Sequence, residues 1–139
     1  MARDRSVFIV RTGRVSRVGY ENPRNPRQGF GYRIYVQAPD RSVDIYAHMD
    51  MNSIVVAEGD YVVAGQYLGL YADPPNGTAT AAHLHFERRD ASGVSINPGE
   101  VNPLGPGGQE TSRFGPRRHP VTGRLGSHGG KDFIGSEVR

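Results

Sequence analysis

The stretch His83-Leu84-His85-Phe86-Glu87 constrains this chain more than any other feature. Successive side chains of an extended strand point to opposite faces, so His83 and His85 share one face while Leu84 and Phe86 share the other and enter a core. Two imidazoles are thereby aimed at one point. A second stretch, His128-Gly129-Gly130-Lys131-Asp132, carries a further histidine and an aspartate. Fully extended, the segment from His128 to Asp132 covers roughly 13 Å, whereas two ligands each about 2.0 to 2.2 Å from a zinc ion stand no more than about 4 Å apart. For both to reach one metal the backbone has to bend. Gly129 and Gly130 are expected to permit that bend, because glycine visits dihedral regions that other residues avoid. Together the two stretches describe a candidate zinc site with a catalytic histidine beside it.

Composition narrows what can surround such a site. At 139 residues the chain is read as one domain, residues 1–139, with a single modest core. Hydrophobic residues at 36%, with 19 glycines and 10 prolines, favour a small β-rich enzyme with long loops over a helical bundle. The absence of cysteine excludes a disulfide framework and a thiolate metal site, so any metal takes nitrogen and oxygen ligands from the five histidines and the carboxylates. The net charge of +3 is almost all arginine, with Lys131 the only lysine. A basic surface suits an anionic polymer such as cell wall, but arginines this scattered read as a solvated surface, and no nucleic-acid partner is expected. No apolar run approaches the ~20 residues of a membrane span, and Val7 to Val10 is too short for a secretory signal. The chain is therefore expected to be made in a cytoplasm, to avoid membranes and to act as a monomer.

Period-two alternation dominates the chain. Val15 and Val18 come after a turn at Gly13; Tyr32, Ile34 and Val36 alternate with Arg33, Tyr35 and Gln37; Val43, Ile45 and Ala47 alternate with Asp44, Tyr46 and His48. These read as short antiparallel strands, with Ile45 and Ala47 turned to the core. Turn signals separate them, at Asn22-Pro23-Arg24-Asn25-Pro26, Pro39-Asp40, Glu58-Gly59-Asp60 and Asp73-Pro74-Pro75-Asn76-Gly77. The segment from Leu104 to Ser112 has the composition of a flexible linker. The stretch from Arg113 to Arg139 is too short and too poor in large apolar residues to fold alone, so residues 104–112 are read as an internal connection.

Several motifs now resemble one family: Tyr46-Ala47-His48-Met49, Gly65-Gln66-Tyr67-Leu68-Gly69, His83-Leu84-His85-Phe86-Glu87, Asn97-Pro98, Phe114-Gly115-Pro116-Arg117-Arg118-His119-Pro120, and His128-Gly129-Gly130-Lys131-Asp132-Phe133. They are similar to the motifs of the lysostaphin-like, LytM-type zinc endopeptidases, from Gly13 onward. The order differs from the family's, whose members place the last two motifs first. The resemblance therefore implies a circularly permuted chain, with residues 104–112 joining the family's usual ends, a rearrangement tolerated where those ends lie close together. It implies an all-β fold, a small antiparallel sheet of the duplicated-hybrid-motif type with long loops.

The resemblance also implies roles. His85, His128 and Asp132 would be the protein ligands of zinc, which leaves a fourth position for water, as in catalytic sites. His83 would be the general base or proton shuttle, and His48 would orient water or stabilise the oxyanion. The substrate would be peptide crosslinks of bacterial peptidoglycan, and an origin as a phage lysin, released through a holin or carried in a virion, would reconcile cytoplasmic synthesis with action at the wall. Ala81-Ala82 stands where members often have Gly-Pro, which bears on cleft shape. Glu87 is read as orienting a ligand or as solvated, Arg117 as a pin for the cleft wall, His119 as shaping a loop, and Tyr32 and Tyr46 as ordinary sheet aromatics. Two other classes share the residues: a non-catalytic wall-binding relative, which should lack a ligand, and a non-haem iron oxygenase, which has the same ligand types but no need of the His-Leu-His or Tyr-Ala-His patterns.

Overall fold

Alternation becomes sheet almost everywhere. The computed structural model describes residues 2–118 and 125–138. Its strands are β1 (Ser6–Phe8), β2 (Gly13–Tyr20), β3 (Tyr32–Gln37), β4 (Val43–Ala47), β5 (Tyr61–Val62), β6 (Tyr67–Leu70), β7 (Leu84–Arg89), β8 (Ser95–Ile96), β9 (Gln109–Ser112), β10 (Gly115–Arg118), β11 (Leu125–His128) and β12 (Lys131–Ile134), with a 3-10 turn at Met51–Ser53. An eight-stranded sheet runs β5-β2-β3-β4-β7-β12-β9, with β8 added to β7. Two antiparallel pairs, β1 with β6 and β10 with β11, complete the described strands. The fold is all-β and antiparallel, as the periodicity implied, and no helix among the described residues is long and apolar enough to cross a membrane.

One face of the large sheet is the core. Val15, Ile34, Val36, Tyr46, Leu84, Phe86 and Phe133 pack there against Val7, Ile9, Leu68 and Tyr71 from the small β1–β6 pair and its flanks. On β7 the expectation holds: Leu84 and Phe86 are fully buried in this cluster, and His85 and Glu87 take the opposite face. On β4 it reverses. Tyr46 enters the core and meets Phe86 edge to face, 5.2 Å away between ring centroids, while Ile45 and Ala47 lie on the other face, paired with Glu87 and His85. Ile45, Tyr46 and Ala47 are all at 0% exposure, so both faces of β4 are covered and hydrophobicity cannot tell them apart. Tyr46 tolerates the core because its hydroxyl accepts the N–H of Val10 at 2.8 Å, and burial pushes its phenol far above the usual range.

The connection at residues 104–112 is more ordered than its composition suggests. Leu104 is buried in the core cluster, and Gln109–Ser112 forms β9 along the outer edge of β12. A polar segment makes a strand here because it supplies the backbone partners that β12 would otherwise lack. At the other end of β12 the described chain ends meet: Asp4 N–H donates to Ser136 O and Val138 N–H to Ala2 O, both at 2.8 Å.

Candidate metal centre and cleft

Cross-strand register assembles the site on the face opposite the core. Asp132 of β12 stands directly across from His85 of β7, and His85 directly across from Ala47 of β4. His83 precedes β7 by one residue, His128 ends β11, and His48 comes just after β4 at a left-handed φ of 60°. The small side chain of Ala47 leaves room above it for the imidazoles.

Asp132 is the hub. Its Oδ1 lies 3.0 Å from His85 Nδ1 and 3.5 Å from His83 Nε2, and its Oδ2 lies 3.4 Å from His128 Nε2. Each histidine turns its remaining nitrogen to a fixed oxygen: His83 Nδ1–H donates to Ala81 O at 2.9 Å, His128 Nδ1–H to Arg113 O at 3.0 Å, and His85 Nε2–H to Glu87 Oε1 at 3.0 Å. Glu87 is held in turn by Arg89 at 2.7 Å and Ser95 at 2.9 Å. One nitrogen of each ring is thus left facing the carboxylate. Potential ligand atoms of His85, His128 and Asp132 all lie within 4.8 Å of one another.

The charges follow from these contacts. Burial works against a charged His85, but its hydrogen bonds to Asp132 and Glu87 outweigh burial and raise the ring to about 9. His83 is raised by the same balance, with Asp132 and Ala81 O as its partners. Burial favours a neutral Asp132, yet hydrogen bonds to His83 and His85 hold it well below the carboxylate range. His48 goes the other way: burial, reinforced by the charges of His83 and His85, lowers it to about 4. Its ring is 5.0 Å from that of His83 and 6.2 Å from that of His85, and its Nδ1 is buried with no partner among the described residues.

The glycine pair before Asp132 works differently from expectation. Neither Gly129 nor Gly130 takes a left-handed φ; space is the reason for glycine here. A Cβ on Gly130 would come 2.4 Å from Phe86 O and 2.9 Å from the His85 ring, and one on Gly129 would come 3.0 Å from Glu87 Oε1. Any side chain at Gly130 would push β12 away from β7 and pull Asp132 off His85.

A cleft of about 390 Å³ opens over the cluster, walled by Phe30, Thr78, Thr80 and the histidines. Phe30 has no counterpart among the residues that the sequence motifs single out, yet it stacks on His85 with centroids 5.4 Å apart and planes at 26°. An aromatic between two glycines, Gly29-Phe30-Gly31, is the only local signal it gives. Arg27 and Asn76 are equally unforeseen. Arg27 ties the loop after β2 to the loop after β6 through Pro75 O and Ala79 O, and Asn76 donates to Met49 O at 2.8 Å. The side chain of Arg117 and all of His119 lie outside the described residues.

A model of peptidase family M23 matches residues 1–98, a span that contains His48, His83 and His85 and stops short of His128 and Asp132. Among solved structures, the chain is similar to the catalytic domain of the antimicrobial peptidase lysostaphin from Staphylococcus simulans, with 29% identity over 70% of each chain and a TM-score of 0.57. It also resembles the longer lysostaphin structure from Staphylococcus simulans, at 18% identity over 97% of this chain and 79% of that one, with a TM-score of 0.57. A search of curated protein sequences finds no match.

Proposed function

Since the chain belongs to peptidase family M23, we propose that it is a zinc-dependent endopeptidase that hydrolyses peptide crosslinks of bacterial peptidoglycan. The observation that carries this reading is the convergence of His85, His128 and Asp132, whose ligand atoms lie within 4.8 Å of one another. The donor set fits zinc, because two imidazoles and one carboxylate match its preferred chemistry. The fit extends outward: Glu87 fixes His85 and Arg113 O fixes His128, the carbonyl and carboxylate partners that metal-bound histidines characteristically use. Bound there, zinc would act as a Lewis acid on a peptide carbonyl and activate water for attack.

The chain's own residues supply the rest. His83, its Nδ1–H anchored on Ala81 O, presents Nε2 to the cleft as the group that takes a proton from water and returns it to the leaving amine. His48 stays neutral at neutral pH because its pKa is lowered to about 4. The neutral ring carries one N–H, the donor that it would offer to the oxygen that gains charge. Phe30 keeps water from one face of His85 by stacking on it.

The motif order supports circular permutation within the family. The matched span ends at residue 98, the His128 to Asp132 motif comes after it in sequence, and the backbone bonds between residues 2–4 and 136–138 bring together the two segments that an unpermuted chain would join. The turn at residues 104–108 would then be the new connection. The decisive experiment measures metal content by mass spectrometry and fragment release from purified sacculi, for wild type and for His85→Ala. One zinc per chain with metal-dependent release of peptide fragments is expected; metal-independent release, or intact sacculi with zinc bound, overturns the reading.

A further inference from the structure

The face that carries the metal centre continues past it. Following the register one residue beyond the Ile34–Tyr46 pair places Arg33 beside Ala47, which faces His85 and then Asp132. Arg33 thus stands on the same row, two strands and about 10 Å from His85. Further out on this face lie Tyr35, paired with Arg17 of β2, and Arg14, paired with Tyr61 of β5.

These arginines are arranged on tyrosines and not on acids. The Arg14 guanidinium sits 4.3 Å from the Tyr61 ring centroid, and those of Arg17 and Arg33 sit 5.7 and 5.3 Å from that of Tyr35. The arginine ion pairs among the described residues involve Arg3, Arg11, Arg88 and Arg89, so this stripe is positively charged without a fixed counter-ion. Stacking on a ring limits the motion of a guanidinium while leaving its N–H edge open to an anion.

Arg33 is the most informative member. It is 7% exposed, and its Nη1 donates to Gly19 O at 2.9 Å and Tyr20 O at 3.1 Å. Its Nε is buried with no acceptor among the described residues. A buried N–H of a charged group without an acceptor is costly, and an anion held beside the guanidinium offsets part of that cost through its charge. Arg33 forms part of a groove of about 630 Å³ whose walls include Arg17, Gly19, Tyr20, Tyr32 and Glu58. Glu58 commits Oε1 to the N–H of Val18 at 3.1 Å and forms no ion pair with either arginine among the described residues.

We propose that this groove, distinct from the metal cleft in its lining, is an anion subsite of the peptidase, in which Arg33 and Arg17 hold a free carboxylate of the peptide substrate. The subsite rests on the endopeptidase function above and adds a specificity to it. Ala47, which lies between Arg33 and His85, is fully buried, so the carboxylate recognised belongs to a part of the crosslinked substrate that reaches the groove around this covered strand and not to the bond being cut. A guanidinium fork suits a planar carboxylate better than a point charge would.

The test uses two synthetic crosslinked stem peptides, one with free carboxylates and one with the same groups amidated. Hydrolysis and equilibrium binding of each are measured for wild type, Arg17→Gln and the double variant Arg17→Gln/Arg33→Gln, with melting temperatures checked in parallel. Wild type should bind the carboxylate peptide about tenfold more tightly than the amide. The preference should shrink in Arg17→Gln and vanish in the double variant through KM, with kcat and the amidated peptide unaffected. Cleavage of both peptides with equal KM in wild type overturns the subsite and leaves the endopeptidase standing. Carboxylate-dependent binding that needs Arg17, without cleavage of either peptide, leaves the subsite standing and overturns the endopeptidase. Equal losses on both peptides in Arg17→Gln, which keeps the buried arginine in place, reduce the stripe to a structural feature.

Discussion

Two aspartates on this sheet sit among nitrogen donors, Asp44 fully buried and Asp132 partly so, and do opposite things. Asp44 of β4, on the core side, is 1% exposed and receives two guanidinium forks: Arg11 Nε and Nη2 at 3.1 and 2.8 Å, and Arg88 Nε and Nη2 at 2.6 and 3.2 Å. Asp132, on the cleft side, gathers His83, His85 and His128 at 3.0 to 3.5 Å. A guanidinium in a protein keeps its proton, so Asp44 sits in a closed arrangement with no acceptor left to offer. An imidazole releases its proton near neutral pH and then presents a lone pair. The difference is between partners whose protons are fixed and partners whose protons exchange. The first makes a clamp between β4 and β7; the second makes a site that a metal can enter.

The comparison breaks most visibly at Asp132. Asp132→Ala, His85→Ala or His128→Ala should lower peptide hydrolysis by about 10⁴-fold or more and remove stoichiometric metal, while the far-ultraviolet circular dichroism of the sheet stays unchanged. A variant of any of the three that keeps both zinc and turnover would show that the metal lies elsewhere. Asp44→Ala should do the reverse, with zinc per folded chain preserved. It strands Arg88 and Arg11 beside the core, so stability should fall by about 3 to 5 kcal/mol, read from chemical denaturation. Loss of the metal before loss of the fold in Asp44→Ala would erase the distinction.

Legibility in the sequence divides along the same line. His85, Glu87 and Asp132 are readable because strand alternation and a short motif are local properties, and the register of β7 with β12 then places two of them face to face. The orientation of β4 is not, since Ile45, Tyr46 and Ala47 are all fully buried and the core takes the larger side chain with a backbone donor in reach. Gly130 is needed for a reason other than the bend its sequence suggests: backbone crowding by Phe86 O depends on a strand pairing that sequence spacing does not reveal. Strand β9 escapes detection because an exposed edge strand needs only backbone partners, and the sequence Gln-Glu-Thr-Ser carries no apolar period. Phe30, Arg27 and Asn76 act across long loop separations, where no local pattern exists to be read. Within the connection expected at residues 104–112, the first half forms tight turns and Gln109–Ser112 forms a strand.

Smaller effects sharpen the contrast within the cleft. His83→Ala should keep its zinc and lose about 10²-fold in kcat, because its Nε2 faces Asp132 at 3.5 Å while the three ligand atoms are provided by others. Equal loss of zinc would exchange its role with that of His85. Glu87→Gln should weaken zinc by about 10- to 100-fold without abolishing activity at saturating metal, since the amide still accepts from His85 Nε2 but no longer balances its charge. An unchanged zinc affinity, measured by competition with a chelator, would make Glu87 a partner of Arg89 and nothing more.

The smallest and most discriminating effect is on stability against pH, measured on metal-free protein. His48 has a folded pKa of about 4, below its ordinary 6.5. The unfolded chain therefore binds a proton that the folded chain does not between these values, and stability should fall as pH drops from 6.5 toward 4, by no more than about 1.4 kcal/mol per pH unit for one histidine. His85, raised to about 9 from 6.5, has the opposite sign. Its contribution is fully present below pH 6.5 and is lost as pH rises through 9, because there the folded chain alone holds the proton. His48→Gln should flatten the acid arm and leave the alkaline arm intact, and saturating zinc should shrink the alkaline arm by displacing that proton, leaving at most the share of His83, which is also raised. Asp44→Asn should lower the whole curve between pH 6.5 and 9 without changing its slope, since no exchangeable proton sits among its partners. An alkaline slope that zinc leaves wholly unchanged would mean that His85 is not where the metal binds, and a changed slope in Asp44→Asn would show that the two aspartates are electrostatically one system.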